Sequence, residues 1–310
     1  MIESEYDTVL SAIHWSREQP RLHNRALAVC AELWIVWERV SRYQDGYDAL
    51  TPFLASPHLN VSDAVRRKAL RGATAMANRL QRHEEAVRFA EERVQLARTG
   101  SDPIELGDAL YSRAIACIDQ LDYERALESV AEYQAISEQV QDPSQTAACL
   151  MLRGHILRLQ GLPEEALAYL AQAMDLYGVE HDHHSTPTRS MIADCLVDLG
   201  KHEEARTVLL EVLRMRLGIG WPKWIVEALE KLVRVAFETG DRTFAATLAG
   251  AVLRWYSEHN LPAEDDGSGW WYATIGDPSH EEDRRLGFGM NLDEAAAFAF
   301  EHCRSLPCAS

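Results

Sequence analysis

The chain has 310 residues, 47% hydrophobic and 25% charged, with a formal net charge of −17 and a pI near 5.1. This is the balance of a folded globular protein and excludes a disordered chain. The negative field repels nucleic acid and anionic membrane surfaces, and no basic patch of useful length offsets it, so direct DNA binding is excluded as an expectation.

The acidic opening MIESEYDTVL lacks the apolar core of a signal peptide, and no run approaches the ~18 apolar residues of a membrane span. Cys30, Cys117, Cys149, Cys195, Cys303 and Cys308 are scattered without a Cys-x-x-Cys pair, so neither a zinc knuckle nor a disulfide framework is expected. Cys117, Cys149 and Cys195 lie in apolar helical runs, where a free thiol acts as a small hydrophobe. A reducing cytoplasm is the expected compartment.

In chain order, the predicted elements are paired helices. Gly46, Ala86, Ala126, Ala166, Ala205 and Ala245, each a small residue after an acidic or polar turn, fall 40, 40, 40, 39 and 40 residues apart. Asp102, Asp142 and Asp182 keep the same step, and Gly161, Gly200 and Gly240 each stand five residues before an anchor. Such a period predicts a stacked repeat. In the third unit, residues 110–118 carry apolar side chains at helical spacing. Leu121-Asp122-Tyr123 then makes a turn, and residues 124–137 put Ala126, Leu127, Val130, Ala131 and Tyr133 on one face. Asp142 is the expected N-cap of the next helix, with Pro143 in its first turn. The anchors mark the predicted helix crossings, and no strand pattern of useful length occurs.

Adjacent carboxylates recur at Glu84-Glu85, Glu164-Glu165 and Glu203-Glu204. Acid/base chemistry needs a carboxyl with a raised pKa in a desolvated pocket. These open helices instead, where they complement unpaired N–H groups. Further on, Glu180-His181-Asp182-His183-His184 is the one stretch with metal-ligand character, and His181, His183 and His184 are the candidate ligands. The repeat register puts it in a loop, where adjacent histidines do not readily converge on one ion, and a solvated loop is the plainer reading. Trp221-Pro222-Lys223-Trp224 and Trp270-Trp271-Tyr272 are aromatic clusters expected to close the end of a stack. Asn291 is the expected N-cap of the last helix, with Glu294 completing a capping box.

Helix pairs at this period resemble tetratricopeptide-like repeats, with a longer step than the usual 34 residues. Residues 6–15 (YDTVLSAIHW) and Trp34-Ile35-Val36-Trp37 resemble the opening of the C-terminal repeat region of large actinobacterial regulators. These are the LuxR-type and SARP-type proteins built on a STAND-class ATPase, laid out like the maltose regulator MalT. Ala245–Ala251 (AATLAGA) and Gly289–Ala295 (GMNLDEA) resemble two later helices of that region. The chain departs from the pattern between Leu261 and Phe288, and neither a phosphate-binding loop nor a basic helix-turn-helix is found in it. The resemblance implies the sensor part of such a regulator, without its ATPase or DNA reader.

Arg113 and Arg153 each lie thirteen residues before an anchor, where other units carry Ala73, Ile192 and Leu232. On successive first helices they are candidates to clamp a carboxylate, a phosphate or an acidic peptide in a concave groove. Ion pairing with Asp119 or Asp194 is the competing expectation. The expected fold is an all-α, right-handed superhelical solenoid of about six helix pairs over residues 1–260, with a divergent C-terminal capping segment over 261–310. The expected function is a scaffold that binds a protein, peptide or small effector within a signalling or transcription-regulatory system. No cofactor is expected, and an enzyme or metal-binding protein built on the solenoid groove is the alternative.

Overall fold

The structure, a computed structural model, describes residues 2–177, 185–261 and 269–305. Among these residues the architecture is all-α with no strand, a solenoid of helix pairs. A lone helix, α1 (Ile2–Ser16), comes first. The six pairs are α2 (His23–Arg39) with α3 (Tyr43–Leu54), α4 (Asp63–Arg79) with α5 (His83–Arg98), α6 (Pro103–Asp119) with α7 (Tyr123–Val140), α8 (Pro143–Leu159) with α9 (Pro163–Tyr177), α10 (Thr186–Asp198) with α11 (His202–Ile219), and α12 (Pro222–Glu238) with α13 (Arg242–His259). Then come α14 (Trp270–Gly276), α15 (Glu281–Phe288) and α16 (Leu292–Ser305).

The chain turns from first to second helix in the same way six times. Ser41, Gln81, Leu121, Gly161, Gly200 and Gly240, each five residues before its anchor, all have positive φ. The next N–H reaches a carbonyl five residues back, Arg42 to Trp37, Arg82 to Ala77, Asp122 to Cys117, Leu162 to Leu157, Lys201 to Leu196 and Asp241 to Ala236, at 2.8–3.0 Å. This is a Schellman closure. The sequence shows its register only where glycine holds the turn; the first three units use residues that carry a Cβ into the left-handed region.

Every anchor alanine is fully buried. At Gly46 an added Cβ would stand 2.8 Å from Met76 Sδ and 3.1 Å from Trp37 Cβ, so the crossing there needs the missing side chain. The predicted caps form. Asp102 accepts from the N–H groups of Ile104 and Glu105 at 3.0 and 3.4 Å, and Asp142 accepts from that of Ser144 at 2.8 Å. Asn291 and Glu294 cap reciprocally at 3.0 and 2.8 Å. Glu84-Glu85, Glu164-Glu165 and Glu203-Glu204 occupy the first turns of α5, α9 and α11.

Two compact units divide the chain, Met1–Arg153 and Gly154–Ser310, with the division inside α8. The first is laced by charge as well as packed around Leu27, Leu50, Phe53, Leu70, Met76 and Leu110. On α4, Arg66, Arg67, Lys68, Arg71 and Arg79 meet Glu92, Glu105, Glu32, Asp108 and Glu38 of the helices around it. Arg93 of α5 is fully buried, and its guanidinium is matched by Glu105, Asp108 and the Ser112 hydroxyl of α6. Burying that charge is tolerable because it is paired and hydrogen-bonded.

In the second unit the last three helices join the core of the repeats. Trp271 is fully buried, and it shares a cluster with Leu229, Leu248, Val252, Ala295 and Ala299. Helix α15 lies against α13 so closely that a Cβ at Gly287 would overlap the Thr247 carbonyl, and one at Gly250 the Arg284 carbonyl. The two tryptophan clusters differ. Trp270 and Trp271 are buried at the C-terminal end, whereas Trp221 and Trp224 are half-buried at the start of α12, with ring centroids 4.6 Å apart. The second pair lies inside the repeat series, because it opens α12, α13 follows, and α14–α16 supply the closing layer.

Candidate functional site

Arg113, on α6, donates from Nε to the Ser129 hydroxyl at 2.8 Å, and its Nη2 lies 3.9 Å from the Glu132 carboxylate. Arg153, on α8, donates from Nη2 to Gln134 Oε1 at 3.0 Å. Both arginines therefore meet α7, the second helix between them in sequence. Asp194, one of the acids predicted to tie them, is held by Lys231 instead. His181, His183 and His184 lie outside the described residues. Among the described residues no group of three or more His, Cys, Asp or Glu side chains is placed to hold a metal ion.

Two residues further along a helix is a turn of about 200°, and that register separates the two units. Eleven residues before the anchors stand Ile35, Ala75 and Ile115 in the first three pairs, but His155, Asp194 and Arg234 in the last three. Around this ionisable trio the second unit builds a row across α8, α10 and α12. Asp198 accepts from Arg158 at 3.0 Å and from Arg234 at 2.9 Å, and Arg234 also donates to Glu238 at 2.9 Å. Lys231 pairs with Asp194 beside them. Three cations thus face three carboxylates, and His202 Nδ1 lies 3.6 Å from Glu238.

Burial would push the Asp194 carboxyl up, but Lys231 and Arg158 outweigh it and hold it below the ordinary carboxylate range. Burial, reinforced by Arg158, pushes the His155 imidazole down to about 4 against the opposing pull of Asp194. His155 is therefore neutral at pH 7, and its Nδ1 is shut off from solvent with no hydrogen-bond partner. The thiols of Cys30, Cys149 and Cys195 are each pushed up to about 12 by burial, which leaves them as inert core groups. The charged row is hidden from a reading that takes one helix at a time. Its signal in the sequence is the change from apolar to ionisable residues at a single repeat position.

The tetratricopeptide repeat family model matches residues 145–218. No curated protein sequence matches the chain. Among solved structures, a Rap protein complexed with competence and sporulation factor is similar over 97% of this chain and 97% of its own, at 14% identity and a TM-score of 0.59. The apo form of RapI is similar over 94% of this chain and 80% of its own, at 13% identity and a TM-score of 0.50. BtubC (BKLC) from P. vanneervenii covers 78% of this chain and 94% of its own, at 13% identity and a TM-score of 0.49. The Rap likenesses concern the fold, and with the family match they show that the chain contains a tetratricopeptide-like repeat region.

Proposed function

We propose that the chain is a binding module, a repeat scaffold that recognises a protein, peptide or small effector as the sensor of a signalling or transcription-regulatory system, and not an enzyme. The observation that carries this is the row on α8, α10 and α12. It places three cations and three carboxylates side by side, with Asp194 and Arg234 at a position that the first unit fills with Ile or Ala. Desolvating ion pairs costs free energy that an apolar repeat would avoid, and ionisable groups gathered on one face are what a charged ligand would meet. The likeness to a Rap protein solved complexed with competence and sporulation factor supports an effector-binding role for the repeats. In this reading residues 261–310 cap the repeats of residues 1–260, and Arg113 and Arg153 offer a further contact to an acidic group on α7's side of the first unit.

The test is a thermal-shift screen of short synthetic peptides with free termini, followed by calorimetry on the wild type, Arg234→Leu and Asp198→Asn. At least one peptide class should raise the melting temperature of the wild type, as ligand linkage requires. Both substitutions should weaken that peptide tenfold or more while the protein stays folded. If every peptide that binds does so equally well to both variants, the row is not the binding surface.

A further inference from the structure

The six first helices present one face to the preceding repeat, and in α2 that face is open. On α4 the face is defined at Gly72, where an added Cβ would stand 2.6 Å from Trp34 Cβ and 3.1 Å from Leu50 Cδ1, both in the preceding pair. Residues three before and four after it share that side of the helix, giving Ala69, Gly72 and Met76. Their counterparts on α2 are Val29, Glu32 and Val36. Seventeen residues before the anchor, Ala69, Ala109, Thr188 and Ala228 are fully buried, whereas Val29 is 48% exposed. Ten before it, Met76, Ala116, Cys195 and Val235 are buried, and Val36 is half-buried.

Helix α1 partly rebuilds the missing neighbour. Tyr47 of α3 donates to Glu85 of α5 at 2.7 Å, with Arg82 over its ring at 4.1 Å. Tyr6 of α1 donates to Asp45 of α3 at 2.7 Å, with Arg42 over its ring at 4.9 Å. Asp45 and Arg42 are one repeat before Glu85 and Arg82, so α1 stands to α3 as α3 stands to α5. It takes the place of a second helix, and it exposes Val9 and Trp15 (56%). The end of a repeat stack is ordinarily polar; this end exposes Val9, Trp15 and Val29 around Glu32, whose carboxylate turns to Lys68 of α4.

We infer that this end face docks an amphipathic helix of a partner protein, running parallel to α2 in the place of a first helix ahead of it. The repeat itself specifies that occupant, because the contacts would continue those between α2 and α4. Charge adds a requirement. Glu105 of α6 meets Arg67 of the preceding first helix at 3.7 Å, and the residue equivalent to Glu105 on α2 is the exposed Arg25. The docked helix therefore carries an acidic residue where α4 carries Arg67.

The probe is a labelled 17-residue peptide with the sequence of α4, Asp63–Arg79, carrying Arg67→Glu, compared with the unaltered peptide. By fluorescence anisotropy the Glu peptide should bind the full chain, gain helicity, and bind at least fivefold more tightly than the Arg peptide. Val29→Asp in the full chain should abolish binding and lower the melting temperature little, because Val29 is 48% exposed. Failure of the Glu peptide to bind, or binding unaffected by Val29→Asp, overturns the inference. So does sedimentation showing a dimer that Val29→Asp dissociates, which would assign the face to a second copy.

Discussion

His155 sits in the row with its proton affinity lowered, and this fixes the sign of the linkage. The folded state keeps the imidazole neutral down to about pH 4, while the unfolded chain takes up a proton near pH 6.5. Stability is therefore unaffected above that upper value. It falls by about 1.4 kcal/mol for each unit between the two, and levels off below the lower one. From pH 7 to pH 5 the loss is about 2 kcal/mol, which His155→Gln should largely remove; urea titrations at the two pH values measure it. A protein whose stability at pH 5 does not respond to the substitution would show that His155 is not buried in solution. Asp194 acts in a separate window. Its depressed pKa contributes stability above about pH 4, the value for an unfolded carboxyl, and that stability is lost as pH falls through the folded value. The arginine pair shows how far single residues were legible. Spacing placed Arg113 and Arg153 on first helices correctly, but a shift of two residues decides which side of a helix a side chain leaves from. The partners Ser129 and Gln134 come from α7, which no periodicity of α6 or α8 names. Replacing both arginines by Leu should preserve the fold and weaken an acidic partner at least tenfold. Unfolding of the double variant would identify them as ties to α7.

The turns between paired helices behave as one element repeated six times, and half of them were legible. Glycine at residues 161, 200 and 240 announces a left-handed position; Ser41, Gln81 and Leu121 hide the same geometry behind side chains that disfavour it. Leu121 is the clearest misfit, an apolar residue 69% exposed at φ 62°. Leu121→Gly should stabilise the chain by about 0.5–1 kcal/mol, since it removes the steric penalty and little burial. A lowered melting temperature would mean that the leucine makes a contact worth more than its strain. The crossing of α13 and α15 was invisible in the sequence, because Gly250 and Gly287 lie 37 residues apart in unrelated local patterns. There a single methyl group meets a carbonyl oxygen. Gly250→Ala should cost about 1–3 kcal/mol, the range for overpacking a tight contact, and a thermal melt with no change would show that α15 can slide.

At the scale of the molecule, the period made the fold class readable where individual helices would not have. Six anchors at a common step specify six pairs. Nothing in them specifies the layer beyond the sixth pair, because α14–α16 obey no repeat. That layer is held by long-range burial of Trp271, Ala295 and Ala299 against α12 and α13, a tertiary fact without a local pattern. A chain ending at Leu261 should therefore expose much of the second unit's core, melt that unit at lower temperature and bind an apolar dye, with the helicity of residues 2–153 retained. Full helicity at the native melting temperature would show the layer to be ornamental. Among the described residues no helix is long and apolar enough to cross a membrane.

The uniform Schellman closure also defines a unit of inheritance. Gln81 and Leu121 share a backbone conformation, and the residues after them, Arg82 and Asp122, hand their N–H groups to equivalent carbonyls. Excising residues 82–121 would join Gln81 to Asp122 and leave one intact turn at the seam, with α4 leading directly into α7. An unequal exchange between copies at this point is silent for the backbone. The array can therefore gain or lose a whole helix pair in one genetic event, and the side chains at the new seam decide whether the shortened or lengthened chain survives.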